Sequence, residues 1–274
     1  LDLGDVTLAD GATLTVGTGV ANAINLDAVT GTASGTSSNV TLNTTGVVNV
    51  AEAVGTDIGV LTLTQSGGAT FADTVDATTV TLTNTTGTIA FQGDLTATTL
   101  NTAAAGYNVS LTGGNNTITD AVTFSNSGTL ALGDAAGDTT TFTGGVTATA
   151  QSSITLQGTV ASGGTSGITL GDADTGVSVG SDTTIGGAGT GTLDLGDVTL
   201  ADGATLTVGT GLANAINLDA VTGTARGTSS NGTLNTTGDG YVAAAVGTAI
   251  GVLPFTPACG SPVLMIVGRA GVRL

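Results

Sequence analysis

The sequence predicts an all-β fold, a parallel β-helix (β-solenoid) with rungs of about 20 residues. Three observations carry the expectation: short motifs that alternate with a period of two, recurrence of those motifs about every 20 residues, and no proline in residues 1–253.

The alternation is clearest in VLTLTQSGGATFADTVDAT (60–78), TVTLTNTTGTIAFQGDLTAT (79–98) and NVSLTGGNNTITDAVTFSNS (108–127). In each, Leu and Val fall on one face of a strand and Thr or Ser on the other. The motifs Leu61-Thr62-Leu63, Val80-Thr81-Leu82 and Val109-Ser110-Leu111 align as first strands, and second strands follow around Phe71, Ile89 and Ile118. These stretches measure 19, 20 and 20 residues, and GTLALGDAAGDTTTFTGGVTATAQ (128–151) extends to 24. Strands this short cannot bury a face alone, whereas stacked coils let each pair with its equivalent in the next rung. Ladder strands need their N–H groups, which proline would remove. The alternative is a string of immunoglobulin-like sandwiches. Those call for modules of about 100 residues and a large aromatic core; here there is no Trp and the repeat is five-fold shorter.

A longer repeat contains the shorter one. Residues 1–61 recur at an offset of 192 as residues 193–253, and 1–19 return letter for letter at 193–211. Eight positions differ: Val20/Leu212, Ser34/Arg226, Val40/Gly232, Val47/Asp239, Val48/Gly240, Asn49/Tyr241, Glu52/Ala244 and Asp57/Ala249. Such near-identity implies recent duplication of a 192-residue unit. The chain opens on Leu1 inside the pattern, so a longer parent protein is expected. Val40 is expected to point inward and Val47 to lie at or near an inward position, which makes Gly232 and Asp239 weak points of the second copy, with Gly240 and Tyr241 disturbing the same strand.

Residues 1–253 are therefore expected to form one continuous solenoid. Residues 254–274 break the pattern: they hold all three prolines (Pro254, Pro257, Pro262), Cys259, Met265, Arg269 and Arg273, and no acidic residue. A mid-rung break of this kind is what a shifted reading frame would produce, and the tail is expected to be aberrant or disordered. A single Cys forms no intramolecular disulfide.

Composition bounds function. With 20 acidic and 3 basic residues the net charge is −17, which repels nucleic acid and anionic membrane surfaces. No apolar run reaches the roughly 18–20 residues of a membrane-spanning helix. The apolar 40% is mostly small or β-branched, which suits a thin core of Val, Leu, Ile and Ala.

The Thr/Gly/Asn-rich rungs, the stretch ADGATLTVGTG and strands of the NVSLTGGNNTITDAVTF type resemble bacterial β-strand-repeat surface proteins, the filamentous haemagglutinin-like and autotransporter-type adhesins. The resemblance covers 1–253. It implies export, an extracellular or cell-surface location, and a non-catalytic adhesin stalk or structural passenger whose ligands are host or matrix surfaces.

Candidate sites were weighed residue by residue. Asp5, Asp134, Asp138, Asp172, Asp174 and Asp197 lie in Gly-Asp turns, where calcium ligation is conceivable. Neither a GGxGxD repeat nor an EF-hand loop is present, and Asp is a good turn residue on its own account. Asp172 with Asp174 is the nearest thing to a glycosidase carboxylate pair, but there is no His or Lys, and only Tyr107 and Tyr241 could serve as tyrosine platforms. The Thr-x-Thr pairs Thr13/Thr15, Thr62/Thr64, Thr81/Thr83, Thr117/Thr119 and Thr205/Thr207 could order water or bind ice, but their sequence steps are irregular. The sequons at Asn39, Asn43, Asn84, Asn108 and Asn115 are expected by chance in a Thr-rich chain. No catalytic, metal or cofactor-binding residue and no cofactor is assigned.

Overall fold

The structure, a computed structural model, describes residues 1–32, 35–224, 227–244, 246–247 and 249–255, together with the backbone of 264–266. The Ser34/Arg226 difference and Pro257, Cys259, Pro262, Arg269 and Arg273 lie outside the described residues. Among the described residues the chain is all-β without a helix, and its parallel strands stack as a β-solenoid of about 10 turns. It divides into two compact units, Leu1–Leu130 and Ala131–Leu274.

In the first unit three parallel stacks form, one per side of the coil. One runs Asp2–Leu3, Ile24–Leu26, Val48–Val50, Ala69–Phe71, Thr88–Phe91, Asn108–Leu111. The second runs Val6–Leu8, Val29–Gly31, Val54–Gly55 and the first parts of Val75–Thr85 and Leu95–Thr102, then Asn115–Ile118. The third contains Thr13–Val16, Ser38–Asn43, Ile58–Ser66 and the later parts of the same two long strands. The expected alignment holds for Leu61–Leu63 against Val80–Leu82. It fails for Val109–Leu111, which pairs instead with Ile89–Phe91 on another side of the coil. The strand segment that follows Val80–Leu82 on its own side is Leu100–Thr102, 20 residues on, which the motifs do not reveal because Thr-Leu-Asn-Thr shows no second apolar residue.

The second unit has the same three-sided plan. Val146–Ala148, Ile168–Leu170, Leu193–Leu195, Ile216–Leu218, Gly240–Val242 and Leu264–Ile266 make one stack. The duplicated sequence reproduces its pairing at the 192-residue offset. Asp2↔Asn25 becomes Asp194↔Asn217, Val6↔Val29 becomes Val198↔Val221, and Thr13↔Asn39 becomes Thr205↔Asn231.

Alternation decides what is inside. Ile24, Leu26, Val40, Leu42, Val80 and Leu82 are buried while the residues between them face out. The core is not limited to small aliphatic groups, however. Phe71, Phe91, Phe124, Phe142 and Tyr107 are among the largest fully buried side chains, and Phe71 stacks on Phe91 with centroids 4.9 Å apart and planes at 5°. In-register stacking places the two rings directly over one another, a geometry that parallel coils impose on equivalent positions.

Corners need backbone where no side chain fits. Gly17 and its counterpart Gly209 have φ of 88° and 90°, and a Cβ on either would lie 2.2 Å from a carbonyl oxygen, of Asn43 and Asn235 respectively. The adjoining corner is closed by a buried threonine in both copies. Thr44 Oγ1 reaches the carbonyls of Val20 (2.8 Å) and Asn22 (2.5 Å), and Thr236 Oγ1 those of Leu212 (2.9 Å) and Asn214 (2.5 Å). Each accepts in turn from a glycine N–H, Gly46 or Gly238. These bonds satisfy backbone groups that the ladders leave over.

Candidate functional site

Three kinds of surface feature could carry function: the corner carboxylates, the outward hydroxyl columns, and the tyrosines. Each begins with the strand pattern that places it.

Several corner carboxylates accept hydrogen bonds from the backbone of the coil. Asp5 Oδ1 accepts from Ala28 N (3.3 Å), Asp10 Oδ1 from Thr36 N (2.7 Å) and Asp94 Oδ1 from Asn115 N (2.8 Å). In the second unit Asp197 Oδ1 accepts from Ala220 N (3.1 Å) and Asp182 Oδ1 from Thr205 N (2.8 Å). In all five the acceptor lies in one coil and the donor in the next, so a corner Asp staples successive turns. Two others shape their own turn: Asp138 Oδ2 accepts from Asp134 N and Ala135 N, and Asp172 Oδ1 from Asp174 N and Thr175 N, at 2.8–2.9 Å. That is the local bonding expected of turn Asp. Asp172 and Asp174 are both exposed on the same small turn. Among the described residues no group of three or more His, Cys, Asp or Glu side chains is gathered so as to hold a metal ion.

The hydroxyl columns are more regular than sequence spacing suggested. Thr15, Thr41, Thr62 and Thr81 occupy the same position in four successive coils of the first unit, followed by Asn101. In the second unit Thr139, Thr159, Thr184, Thr207 and Thr233 line up over five. The columns are of single threonines; the Thr13/Thr15 pair does not continue as a pair, since Thr13 faces Asn39 and Asn39 faces Val60. Coil length varies at the corners, so sequence steps vary while register stays constant. Beside the first column runs an amide row, Asn43, Gln65 and Asn84, with Asn84 Nδ2 donating to Gln65 Oε1 at 3.4 Å. Thr117 belongs elsewhere, opposite Thr96.

Sequon side chains are partly occupied. Asn39 Oδ1 accepts from Val60 N (3.0 Å) and Asn108 Oδ1 from Thr129 N (2.8 Å). Tyr107 is fully buried, its hydroxyl 3.5 Å from the Leu82 carbonyl, and so it is no surface platform. Burial pushes its pKa up to about 12, and bonding to the Ala103 backbone and Thr102 opposes the shift. Tyr241 stays exposed. In the same stack as Tyr241, burial raises the pKa of Asp194, with added repulsion from Asp219.

What this arrangement defines is a class, a three-sided parallel β-solenoid, in which several corner carboxylates bond to the coil's own backbone. No family model, no curated protein and no solved structure matches the chain.

Proposed function

We propose that this chain is a non-catalytic segment of a secreted or cell-surface repeat protein, acting as an adhesin stalk or structural passenger. The observation that supports the reading most is the reuse of one 61-residue sequence, at an offset of 192, with one pairing register. In solenoids each coil contacts only its neighbours, so duplication adds length without redesigning a core. Of the Asp172/Asp174 pair that a hydrolase would use, Asp172 Oδ1 accepts from two N–H groups of its own turn. The composition argument against nucleic acid still applies, and host or matrix surfaces remain the proposed partners.

The test has two arms. The full chain, immobilised on beads, is offered matrix proteins and host cells, and retention is measured. The same chain is incubated with neutral and acidic polysaccharides while reducing ends are counted. Retention without new reducing ends supports the proposal. Release of reducing ends that Asp172→Asn or Asp174→Asn abolishes would replace it with a polysaccharide-active enzyme.

The threonine columns favour one second reading. Hydroxyls repeated at the rung spacing of about 4.8 Å could order water into an ice-like layer. Measuring thermal hysteresis and ice-crystal shaping decides it. Activity lost on Thr41→Lys and Thr62→Lys would establish ice binding, and none in the parent chain would eliminate it.

A further inference from the structure

The duplicated copy contains the sequence's one Asn-Gly pair, Asn231-Gly232, where the first copy has Asn39-Val40. We infer that Asn231 is a site of spontaneous deamidation, controlled by opening of the rung in which it lies.

The chemistry needs no partner beyond water and base. A base removes the Gly232 amide proton, and that nitrogen attacks Cγ of Asn231. A C–N bond forms, the Cγ–Nδ2 bond breaks, and ammonia leaves with the returned proton. The five-membered imide then adds water at one of its two carbonyls. Opening one way gives Asp; opening the other gives isoaspartate, in which the main chain runs through the former side chain. Overall one water enters and one ammonia departs, with no change of oxidation state. A residue with a branched Cβ after the Asn hinders both the approach and the backbone rotation it needs, and glycine does neither.

Native pairing restrains this reaction. Asn231 N donates to Ala204 O and Gly232 N to Val252 O, both at 3.0 Å. The nucleophile is thus held in an extended strand by a hydrogen bond, and the imide forms only when the 231–236 ladder opens toward 250–255. In the first copy the same place is guarded twice. Val40 is buried between Leu14 and Leu61, and Asn39 Oδ1 is held by Val60 N. In the second copy Gly232 has no side chain and the neighbouring stack has lost another at Gly240. Opening is easier just where the susceptible pair lies.

The product would not fit the ladder. Isoaspartate inserts one extra main-chain carbon, which puts residues 232–236 out of step with Thr205–Leu212. Side-chain alternation has a period of two, so a slip cannot be absorbed without turning Leu234 away from the core.

The full-length chain is incubated in mildly alkaline buffer and mapped by peptide mass spectrometry, with fragmentation that separates Asp from isoaspartate. Asn231 is expected to convert at least about tenfold faster than Asn39 in the same molecule, the factor that about 1.4 kcal/mol less opening free energy supplies. Gly232→Val should bring it to the Asn39 rate. Gly240→Val keeps the Asn-Gly pair but refills the neighbouring stack, so it should slow conversion partly. Gly232→Ala serves if the valine variant misfolds by circular dichroism. The proposal is overturned if the native chain shows no excess at Asn231 while the urea-unfolded chain does, or if neither glycine substitution slows it.

Discussion

Residues 1–61 and 193–253 carry nearly one sequence in one register, and the structure sorts their differences by side. Val47 is 47% exposed and Asn49 is exposed, so Asp239 and Tyr241 stand on the surface. The expectation that Val47→Asp buries a carboxylate is therefore corrected: alternation puts Val48, not Val47, inside. Val20 is also exposed, as is Glu52. Among the described differing positions Val40 (1% exposed) and Val48 (0%) are the core ones, with Asp57 half-buried, and glycine stands at both core positions in the second copy. Even these two differ. A Cβ on Gly232 would lie 2.6 Å from Leu253 Cδ1, so Leu253 occupies part of the space that Val40 fills in the first copy. A coil tolerates change on its wet face freely and on its dry face only where a neighbour can lean in.

The sharpest way to break this comparison is to move the defect. Val48 stacks between Ile24 and Ala69. Val48→Gly in the first copy should cost about 2–3 kcal/mol, from lost transfer energy, a residual cavity and added chain entropy. Urea unfolding measures it. A cost under about 0.5 kcal/mol, the range of ordinary surface changes, would mean that the first copy is as loosely packed as the second.

The reverse change should be smaller. Gly240→Val restores contact with Ile216 and should gain about 1–2 kcal/mol, while Gly232→Val should gain less because Leu253 must withdraw. Hydrogen exchange locates the effect. Amides from Gly232 to Val242 should exchange faster than those from Val40 to Val50, and the double substitution should narrow the gap. Equal protection in the parent chain would show that the glycines cost nothing locally.

Much of the fold was legible because period-two alternation is a local property: Leu61-Thr62-Leu63 announces a half-buried strand without knowledge of its partner. The side of the coil to which a strand belongs was not. Leu100–Thr102, the true partner of Val80–Leu82, carries one apolar residue and so went unread, which is how Val109–Leu111 came to be aligned with Val80–Leu82 rather than Ile89–Phe91. The threonine columns were hidden by variation in coil length: Thr15, Thr41, Thr62 and Thr81 are 26, 21 and 19 residues apart yet share one row. Nor does composition tell a buried tyrosine from an exposed one, since Tyr107 and Tyr241 both follow a small residue in a Thr- and Gly-rich context.

Those two tyrosines give a third contrast. Tyr107 ionises only near pH 12 when folded, against about 10 in an unfolded chain. Between these values the unfolded state has released a proton that the folded state keeps, so folding stability should fall as pH rises through that window. Tyr107→Phe should flatten the decline. A slope unchanged by the substitution would place the alkaline sensitivity elsewhere.

The smallest expected effect tests the outer face of the second copy. In the first copy Asn25 Nδ2 bonds to the Asp2 carboxylate, and Asn49 Nδ2 donates to Asn25 Oδ1 at 2.9 Å, a short amide ladder. In the second, Tyr241 replaces the Asn49 end, and Asp194 sits opposite Asn217 with Asp219 nearby. Burial, and then repulsion from Asp219, raise the Asp194 pKa above its ordinary value. An acid that binds its proton more tightly when folded destabilises the fold wherever it is ionised; the penalty shrinks as pH falls below the folded pKa and is gone below the unfolded one. Asp194→Asn should therefore raise the thermal midpoint at neutral pH by about one degree, after allowance for solvent screening of a half-buried group. The gain should disappear on acidification, once the parent carboxylate is itself neutral. A gain of equal size at low pH would trace the benefit to an amide bond with Asn217 rather than to charge.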